Sequence, residues 1–367
     1  MSQPSAAVEL AAARRACGLA TRALGRTGSN PVVGAVILDR TGTEVGAGWH
    51  AGPGTPHAEV VALTAAGTRA RGGTCVVTLE PCRHVGRTGP CTTALVGAGI
   101  ARVVYAVDDP HPDAAGGAEV LKQAGVNVVA GVLAEAAERV NEVWLHAVRT
   151  GRPFVTWKYA ASLDGRVAAA DGSSRWVTGE EARRDVHRLR ARCDAVVVGV
   201  GTVLADDPAL TVRDAEGRPL RRQPLRVVLD SAGRTPAGAR VLDAAAPTLL
   251  VMAKDASAPP GATDVLAVDH DENGLALLPV LDELHRRGRY GVLLEGGPTL
   301  VGSFLREGLV DRVVGYLAPL LIGAGGRPAI TGEGAATLAA ATRLRLDDVT
   351  RFGPDVRLTA RPVREGQ

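Results

Sequence analysis

Three residues of the N-terminal half have the types that bind zinc: His57, Cys82 and Cys91. One imidazole and two thiolates leave a fourth position free, and an open position is typical of a catalytic rather than a structural zinc site. A water molecule bound to zinc at this free position has its pKa lowered toward neutrality. Glu59, two residues beyond the histidine, is placed to take its proton and pass it to a leaving amine. A His-x-Glu followed by Pro-Cys-x-x-Cys is the signature of zinc deaminases that act on nucleobases, and in this chain eight residues rather than two separate the cysteines.

The elements around these residues must bring them together. Pro56 is predicted to open a helix that continues to about residue 70, so that His57 and Glu59 lie in its first turn. A strand over 74–79 precedes Cys82, and a second helix starts at Cys91, where a helix N-terminus favours the thiolate. We further predict helices over 5–26, 120–124 and 133–148, and strands over 32–38, 45–49, 101–107 and 126–129. This alternation predicts an α/β domain.

A second α/β series follows a boundary near residues 149–153, so we predict two domains, 1–148 and 149–367. A capping-box pattern over 178–181 predicts the start of a helix that ends near 191. Polar loops at 158–166, 201–213 and 295–300 each come after a predicted strand. Ligands bind beyond the carboxyl ends of the strands in open α/β sheets, so the three loops are expected at one edge. Gly296 and Gly297 allow close backbone approach, and the helix after them offers free amides to an anion such as a pyrophosphate.

Composition narrows the function classes. The net charge is +3 and aromatic residues make up 3% of 367 residues, which argues against general affinity for nucleic-acid phosphates. Five scattered cysteines are typical of a reducing compartment. We see no signal peptide and no apolar run of about 18 residues. The expectation is a cytoplasmic protein that binds neither nucleic acid nor membrane.

The spacing of the two cysteines points to one family. Residues 81–91 resemble the Pro-Cys-x-His-x-Gly-(Lys/Arg)-Thr-x-Pro-Cys loop of the bifunctional riboflavin-biosynthesis deaminase/reductases, and the segments 30–36, 49–50 and 56–59 match that family too. The resemblance implies a cytidine-deaminase-like, three-layer α/β/α domain with zinc on His57, Cys82 and Cys91 and Glu59 as the catalytic proton carrier. It implies substrate contacts from Asn30, His50, His84 and Arg87.

The C-terminal half resembles the reductase of the same family, which implies a dihydrofolate-reductase-like α/β fold and NADPH as a cofactor. The resemblance implies the following NADPH contacts: Ala160, Trp176, Thr202, Asp206, Ser231, Gly297, Pro298, Thr299, Leu300, Val301, Gly302 and Ser303. It implies the following substrate contacts: Ser174, Arg190, Leu210, Arg213 and Glu295. Lys158 is assigned to the same substrate site, and Lys158 and Asp206 are candidate polar groups near the carbon that accepts the hydride.

The resemblance therefore predicts an enzyme with two activities. It would deaminate 2,5-diamino-6-(5-phosphoribosylamino)pyrimidin-4-one hydrolytically to the 5-aminouracil, and then reduce the ribosyl group to ribityl with NADPH. We also expect a homo-oligomer. Two alternatives stay open: a deaminase of nucleobases or nucleic acid with the same zinc signature, and a reductase that carries a structural zinc module with His84 as fourth ligand.

Overall fold

In the computed structural model, which describes residues 4–84, 89–214, 216–272, 274–332 and 334–363, the chain divides into two units, Met1–Gly151 and Arg152–Gln367. Among the described residues, no helix has both the length and the apolar character needed to cross a bilayer.

The N-terminal unit has six α-helices and five strands within its described residues. The helices are α1 (Ala6–Ala20), α2 (Ala58–Ala66), α3 (Cys91–Gly97), α4 (Gly117–Gln123), α5 (Ala134–Val140) and α6 (Glu142–Thr150). The strands are β1 (Gly34–Leu38), β2 (Glu44–Trp49), β3 (Thr74–Leu79), β4 (Arg102–Val107) and β5 (Asn127–Val129).

The five strands form one sheet in the order β2-β1-β3-β4-β5, with β1 antiparallel to both neighbours and β3, β4 and β5 parallel. Helix α1 packs on Val36 and Leu38, which point to one face of β1. Gly46 lies opposite Ile37 on the other face, where a Cβ would come 2.2 Å from the carbonyl oxygen of Ala62 in α2. Helices therefore cover both faces, and the unit is a three-layer α/β/α sandwich, as predicted.

The C-terminal unit contains the remaining elements. Its helices are α7 (Glu180–Ala191), α8 (Val200–Asp206), α9 (Leu277–Arg286) and α10 (Pro298–Arg306). Its longer strands are β6 (Phe154–Ser162), β8 (Ala195–Gly199), β9 (Leu225–Leu229), β10 (Thr248–Ala253), β11 (Val265–Val268), β14 (Gly291–Leu294), β15 (Arg312–Ala318), β17 (Leu344–Phe352) and β18 (Asp355–Pro362). Its short strands are β7 (Arg166–Ala168), β12 (His270–Asp271), β13 (Gly274–Leu275) and β16 (Arg327–Pro328).

Nine of these strands form a sheet in the order β11-β10-β9-β8-β14-β6-β15-β18-β17. The strands from β11 to β15 are parallel, while β18 and β17 are antiparallel additions at one edge. One apolar core lies between the sheet and the helices α9 and α10, and Val186 of α7 contributes to a second cluster with Val314 and Tyr316. Strands β8, β14 and β6 are adjacent and parallel, so the segments that follow them do leave one edge of the sheet. Two of the predicted polar loops are partly regular structure, because β6 continues to Ser162 and α8 extends to Asp206.

Several element boundaries differ from the predictions. Residues 133–148 form two helices instead of one, because Asn141 interrupts them with φ −103° and ψ 13°. The predicted capping box is wrong: Gly179 is the N-cap of α7, and its N–H donates to the Asp355 carboxylate at 2.7 Å. Helix α2 starts at Ala58 with His57 as its N-cap. Helix α1 ends at Ala20 rather than near residue 26.

Strand β17 and helix α8 were not predicted. Strand β17 is mostly exposed and rich in charged residues, so its sequence shows no regular alternation of apolar and polar positions.

Candidate active sites

The first candidate site lies where α2, α3 and the end of β3 meet. His57 caps α2, Cys82 lies three residues past β3, and Cys91 is the first residue of α3. The ligand atoms of these three residues lie within 4.8 Å of one another. His57 Nδ1 is 3.1 Å from Cys91 Sγ and 3.5 Å from Cys82 Sγ. Two thiol sulfurs and one imidazole nitrogen, converging and largely buried, form a donor set that suits zinc.

The two thiols have opposite protonation tendencies. A hydrogen bond from Cys91 lowers the pKa of Cys82 to about 4. Burial opposes this effect, and a hydrogen bond with His57 adds to it. The same hydrogen bond, together with burial and the negative charge of Glu59, raises the pKa of Cys91. The ionisation of one thiol therefore disfavours the ionisation of the other, and a bound cation would allow both to be thiolates.

Glu59 is the second residue of α2, and its residue surface is only 4% exposed. Burial raises the pKa of this carboxyl, and the side chain hydrogen-bonds with the Cys91 thiol. A carboxyl with a raised pKa is a stronger proton acceptor than an ordinary carboxylate, and its place beside the ligand group suits proton transfer there.

Asn30 and His50 lie beside the same group. The Asn30 amide nitrogen is 3.2 Å from His50 Nε2, and the His50 ring centroid is 5.5 Å from that of His57. Burial lowers the pKa of His50, which favours the neutral imidazole. The loop that holds Asn30 is fixed by α6: the Trp144 indole N–H donates to the Ser29 carbonyl at 3.1 Å.

His84 and Arg87 complete the set predicted for this half. His84 is exposed, and among the described residues the ligand group contains His57, Cys82 and Cys91 without it. The closed structural site with His84 as fourth ligand is therefore not formed. Arg87 lies outside the described residues.

The second candidate site is built on a buried ionic cluster. Arg190 of α7 donates from Nε and Nη2 to the two Glu295 carboxylate oxygens at 2.5 and 2.9 Å. Lys158 Nζ on β6 is 3.8 Å from Glu295, and the side chains of the pair are 17% and 8% exposed. Burial would raise the pKa of Glu295, but Arg190 and Lys158 lower it to about 2. Burial lowers the pKa of Lys158. Arg190 is thus not a solvated helix charge.

The loop between α8 and β9 approaches this cluster. Arg190 Nη1 donates to the Thr211 carbonyl at 3.2 Å, next to the buried Leu210, which has φ +50°. Arg213 instead donates to Gly217 at 3.2 Å. Ser174 is half-buried, and its carbonyl accepts a backbone hydrogen bond from Val177. Of the predicted substrate residues, the structure joins Lys158, Arg190 and Glu295 directly and brings Leu210 to them through its neighbour.

The predicted NADPH residues cluster around the start of α10. Gly297 is the N-cap and Pro298 the first helical residue. A Cβ on Gly297 would lie 3.8 Å from the Thr202 hydroxyl of α8, and a Cβ on Gly302 would lie 2.1 Å from the Thr331 carbonyl oxygen. Gly302 therefore lets the middle of α10 pack against the Thr331 backbone at a distance that no side chain would allow, whereas Gly297 has room for one.

The other predicted NADPH residues lie further out. Trp176 is 68% exposed, with the Arg183 guanidinium 4.5 Å from its ring centroid. Asp206 ends α8, and its carbonyl accepts from Arg175 at 2.7 Å. Ser231 follows β9, and Ala160 is half-buried on β6. Ser231 lies at the same sheet edge, where its carbonyl accepts a hydrogen bond from Ala253 N at 3.3 Å.

Sequence reasoning missed several residues that shape these sites. Asn141 accepts from Val32 N at 3.0 Å and so fixes the Asn30 loop. His187 lies one turn before Arg190, and its buried Nδ1 has no hydrogen-bond partner in the part of the chain that the structure describes. Glu80 is buried directly after the apolar strand β3. Of these residues, only Glu80 had a sequence pattern that could have pointed to it, namely a charged residue at the end of an apolar strand.

Comparisons with known proteins match the two halves of the chain to two different family models. The family model "Cytidine and deoxycytidylate deaminase zinc-binding region" matches residues 8–107, and the model "RibD C-terminal domain" matches residues 153–358. The riboflavin biosynthesis protein RibD of Mycobacterium tuberculosis H37Rv is 48% identical over 91% of this chain and 92% of its own length. That of Escherichia coli K12 is 42% identical over 93% and 96%.

Solved structures of relatives show the same architecture. Acinetobacter baumannii RibD superposes with a TM-score of 0.88 at 38% identity, covering 98% of this chain and 99% of that one. A Thermotoga maritima diaminohydroxyphosphoribosylaminopyrimidine deaminase/5-amino-6-(5-phosphoribosylamino)uracil reductase gives 0.87 at 34% identity, covering 97% and 99%.

The fold and the matched regions define a zinc-dependent deaminase fused to an NADPH-dependent reductase. The chain belongs to the RibD family of riboflavin biosynthesis proteins. It is accordingly a hydrolase and an oxidoreductase in one chain, and the nucleic-acid deaminase alternative is set aside.

Proposed function

We propose that the N-terminal unit deaminates 2,5-diamino-6-(5-phosphoribosylamino)pyrimidin-4-one and that the C-terminal unit reduces the ribosyl group of the product to ribityl. The observation that carries the proposal is the convergence of His57, Cys82 and Cys91 beside the buried Glu59. The Thermotoga maritima relative is named for both reactions on such a phosphoribosyl pyrimidine, which supports the substrate class. The proposed domains are residues 1–148 and 149–367.

In the deaminase unit, His57, Cys82 and Cys91 would hold zinc, which supplies a Lewis acid and an acidified water when bound. Glu59 would receive the proton of that water and deliver it to the leaving amine, for which its buried position and raised pKa are suited. Asn30 offers amide donor and acceptor groups to a pyrimidine edge, held in place by His50. His84 and Arg87 are proposed contacts for the rest of the substrate.

In the reductase unit, NADPH when bound would supply a hydride for C1 of the ring-opened sugar. Free amides at the start of α10 would bind its pyrophosphate, and the residues predicted above would line the remainder of the cofactor. Lys158 and Arg190 carry two positive charges against the single negative charge of Glu295, so this group favours an anionic phosphoribosyl substrate. Arg213 is a further proposed contact for that substrate. Ser174 and Leu210 complete the proposed substrate set.

We also propose a cytoplasmic location and a homo-oligomer. All five cysteines are free, in keeping with a reducing compartment. The edge strand β17 exposes Leu346 at 55% and Val349 at 56%, which would suit contact with a second copy. Light scattering coupled to gel filtration tests the oligomer, and a monomeric mass would contradict it.

A two-signal assay tests the division of labour. Ammonia release from the diaminopyrimidine phosphoriboside and NADPH oxidation on the deaminated substrate are measured separately. Glu59→Gln keeps the side-chain shape but removes the proton acceptor, so we expect ammonia release to fall by about 100-fold or more while NADPH oxidation is unchanged. Glu44→Gln, an exposed surface change in the same unit, is the matched control. Survival of ammonia release in Glu59→Gln would overturn the assignment.

A further inference from the structure

A buried carboxylate behind the metal-ligand group has no part in the chemistry described so far. Glu80 lies directly between strand β3 and Pro81, and its residue surface is 7% exposed. Its two oxygens accept from two backbone amides, Asp109 N at 3.2 Å and Ala118 N at 2.8 Å. Among the described residues, Glu80 forms no ion pair. Its burial is therefore compensated by these two N–H groups.

The two amides mark the ends of one segment, residues 109–118, which we call the supporting segment. It contacts the cysteine-bearing chain at successive points beyond Glu80. Gly117 fits against the Pro81 carbonyl oxygen so closely that a Cβ there would lie 1.7 Å from it. Arg83 N donates to Ala114 O at 3.4 Å, and Arg83 Nε donates to Ala115 O at 2.5 Å. Backbone approach and hydrogen bonds thus bind residues 80–83 to the supporting segment.

The supporting segment also reaches the sulfurs. The Ala114 side chain packs with Cys82 and Cys91 in a small buried cluster. Cys82 O in turn accepts from Thr92 N at 3.3 Å, which ties the first cysteine to the helix of the second. Displacement of the supporting segment would therefore change the positions of both sulfur atoms.

We propose that Glu80 is a positioning residue for the zinc ligand Cys82, acting by holding the supporting segment against residues 80–83. This inference rests on the proposed zinc site. A carboxylate is needed because both partners are N–H donors and a carboxylate is acceptor-only at both oxygens. A glutamine in the same place satisfies one amide and turns its own NH2 toward the other.

The first test is zinc affinity measured by chelator competition on the full chain. Removing a residue that orients a metal ligand typically costs 10–100-fold in affinity or activity, so Glu80→Gln should raise the zinc Kd by about that factor. The matched control is Glu119→Gln, next to the supporting segment but with a side chain 63% exposed. For ammonia release at saturating zinc, we expect a lower kcat with unchanged KM, because Glu80 does not face the substrate.

A second variant displaces the supporting segment without altering Glu80. Gly117→Ala places a methyl group against the Pro81 carbonyl, and we expect the same loss of zinc affinity. Its control is Gly97→Ala at the end of α3, where a Cβ meets nothing within 4 Å. In cobalt-substituted protein, the visible d–d bands should shift in Glu80→Gln and in Gly117→Ala but in neither control.

The outcomes separate this inference from the site assignment. If Glu80→Gln lowers only the unfolding temperature while zinc affinity and the cobalt spectrum stay as in the unmodified protein, Glu80 merely stabilises the fold and the inference is overturned. If Cys82→Ser retains full zinc affinity, the proposed zinc site itself fails. Raised zinc Kd together with shifted cobalt bands supports the positioning role.

Discussion

The buried carboxylate of Glu295 should set the acid stability of the reductase unit. Lys158 and Arg190 outweigh burial and lower its pKa from 4.5 to about 2. Because a tenfold change in a proton equilibrium corresponds to about 1.4 kcal/mol, lowering the pKa from 4.5 to about 2 stabilises the folded state by about 3 kcal/mol. Because the folded pKa is the depressed one, this stabilisation is complete above pH 4.5 and is lost as the pH falls toward 2.

Glu295→Gln removes that stabilisation and leaves two buried cations without their partner. Breaking a buried ion pair in this way costs about 3–5 kcal/mol. In a unit of this size each kcal/mol lowers the midpoint temperature by about 2–4 °C, so we expect a decrease of about 6–20 °C at neutral pH. The variant should also lose the stability change between pH 4.5 and 2.

Differential scanning calorimetry between pH 2 and pH 7 measures both effects. The transition that NADPH shifts upward identifies the reductase unit, because a ligand stabilises the state that binds it. Glu180→Gln, which removes a 67% exposed carboxylate from α7, is the control and should leave that transition unchanged. An unchanged midpoint in Glu295→Gln, or an unchanged acid profile, would refute the reasoning.

Three further outcomes follow. Arg226 is fully buried and donates to Thr248 and to several carbonyls, so Arg226→Met should lower the free energy of unfolding in urea by about 3–5 kcal/mol. In the control Arg218→Met, where the arginine side chain is 72% exposed, the free energy should change by about 0.5 kcal/mol or less, and equal effects of the two substitutions would contradict this. Gly302→Ala places a methyl group against the Thr331 carbonyl, and such overpacking costs about 1–3 kcal/mol, so the KM for NADPH should rise about tenfold. An unchanged KM would show that α10 does not lie at the cofactor. Zinc chelation should abolish ammonia release reversibly and spare NADPH oxidation, and a parallel loss of both activities would argue against separate sites.

The amino-acid sequence determined the local and chemical parts of this description. The types and spacing of His57, Cys82 and Cys91 were sufficient to predict the ligand group that the fold assembles. The alternation of helices and strands predicted both α/β sheets and the shared edge of the three polar loops. These features follow from short-range patterns, in which one residue type or period is enough to indicate an element or a chemistry.

Element ends and caps were less predictable. The N-cap of α7 depends on Asp355, which is 176 residues away from Gly179 in the chain, so the local capping-box pattern was misleading. Strand β17 is held at the sheet edge by its pairing with β18, and its sequence lacks the alternation of apolar residues that would predict a strand. Tertiary partners override local propensity in such cases.

Only the tertiary structure decided how the site residues are held. Arg190 and Glu295 are 105 residues apart, and nothing in either segment indicates that they form one buried pair. Glu80 is likewise 38 residues from Ala118, whose amide it binds. A buried polar group must find its partner wherever the fold supplies one, and that partner is set by the packing of distant elements rather than by sequence spacing.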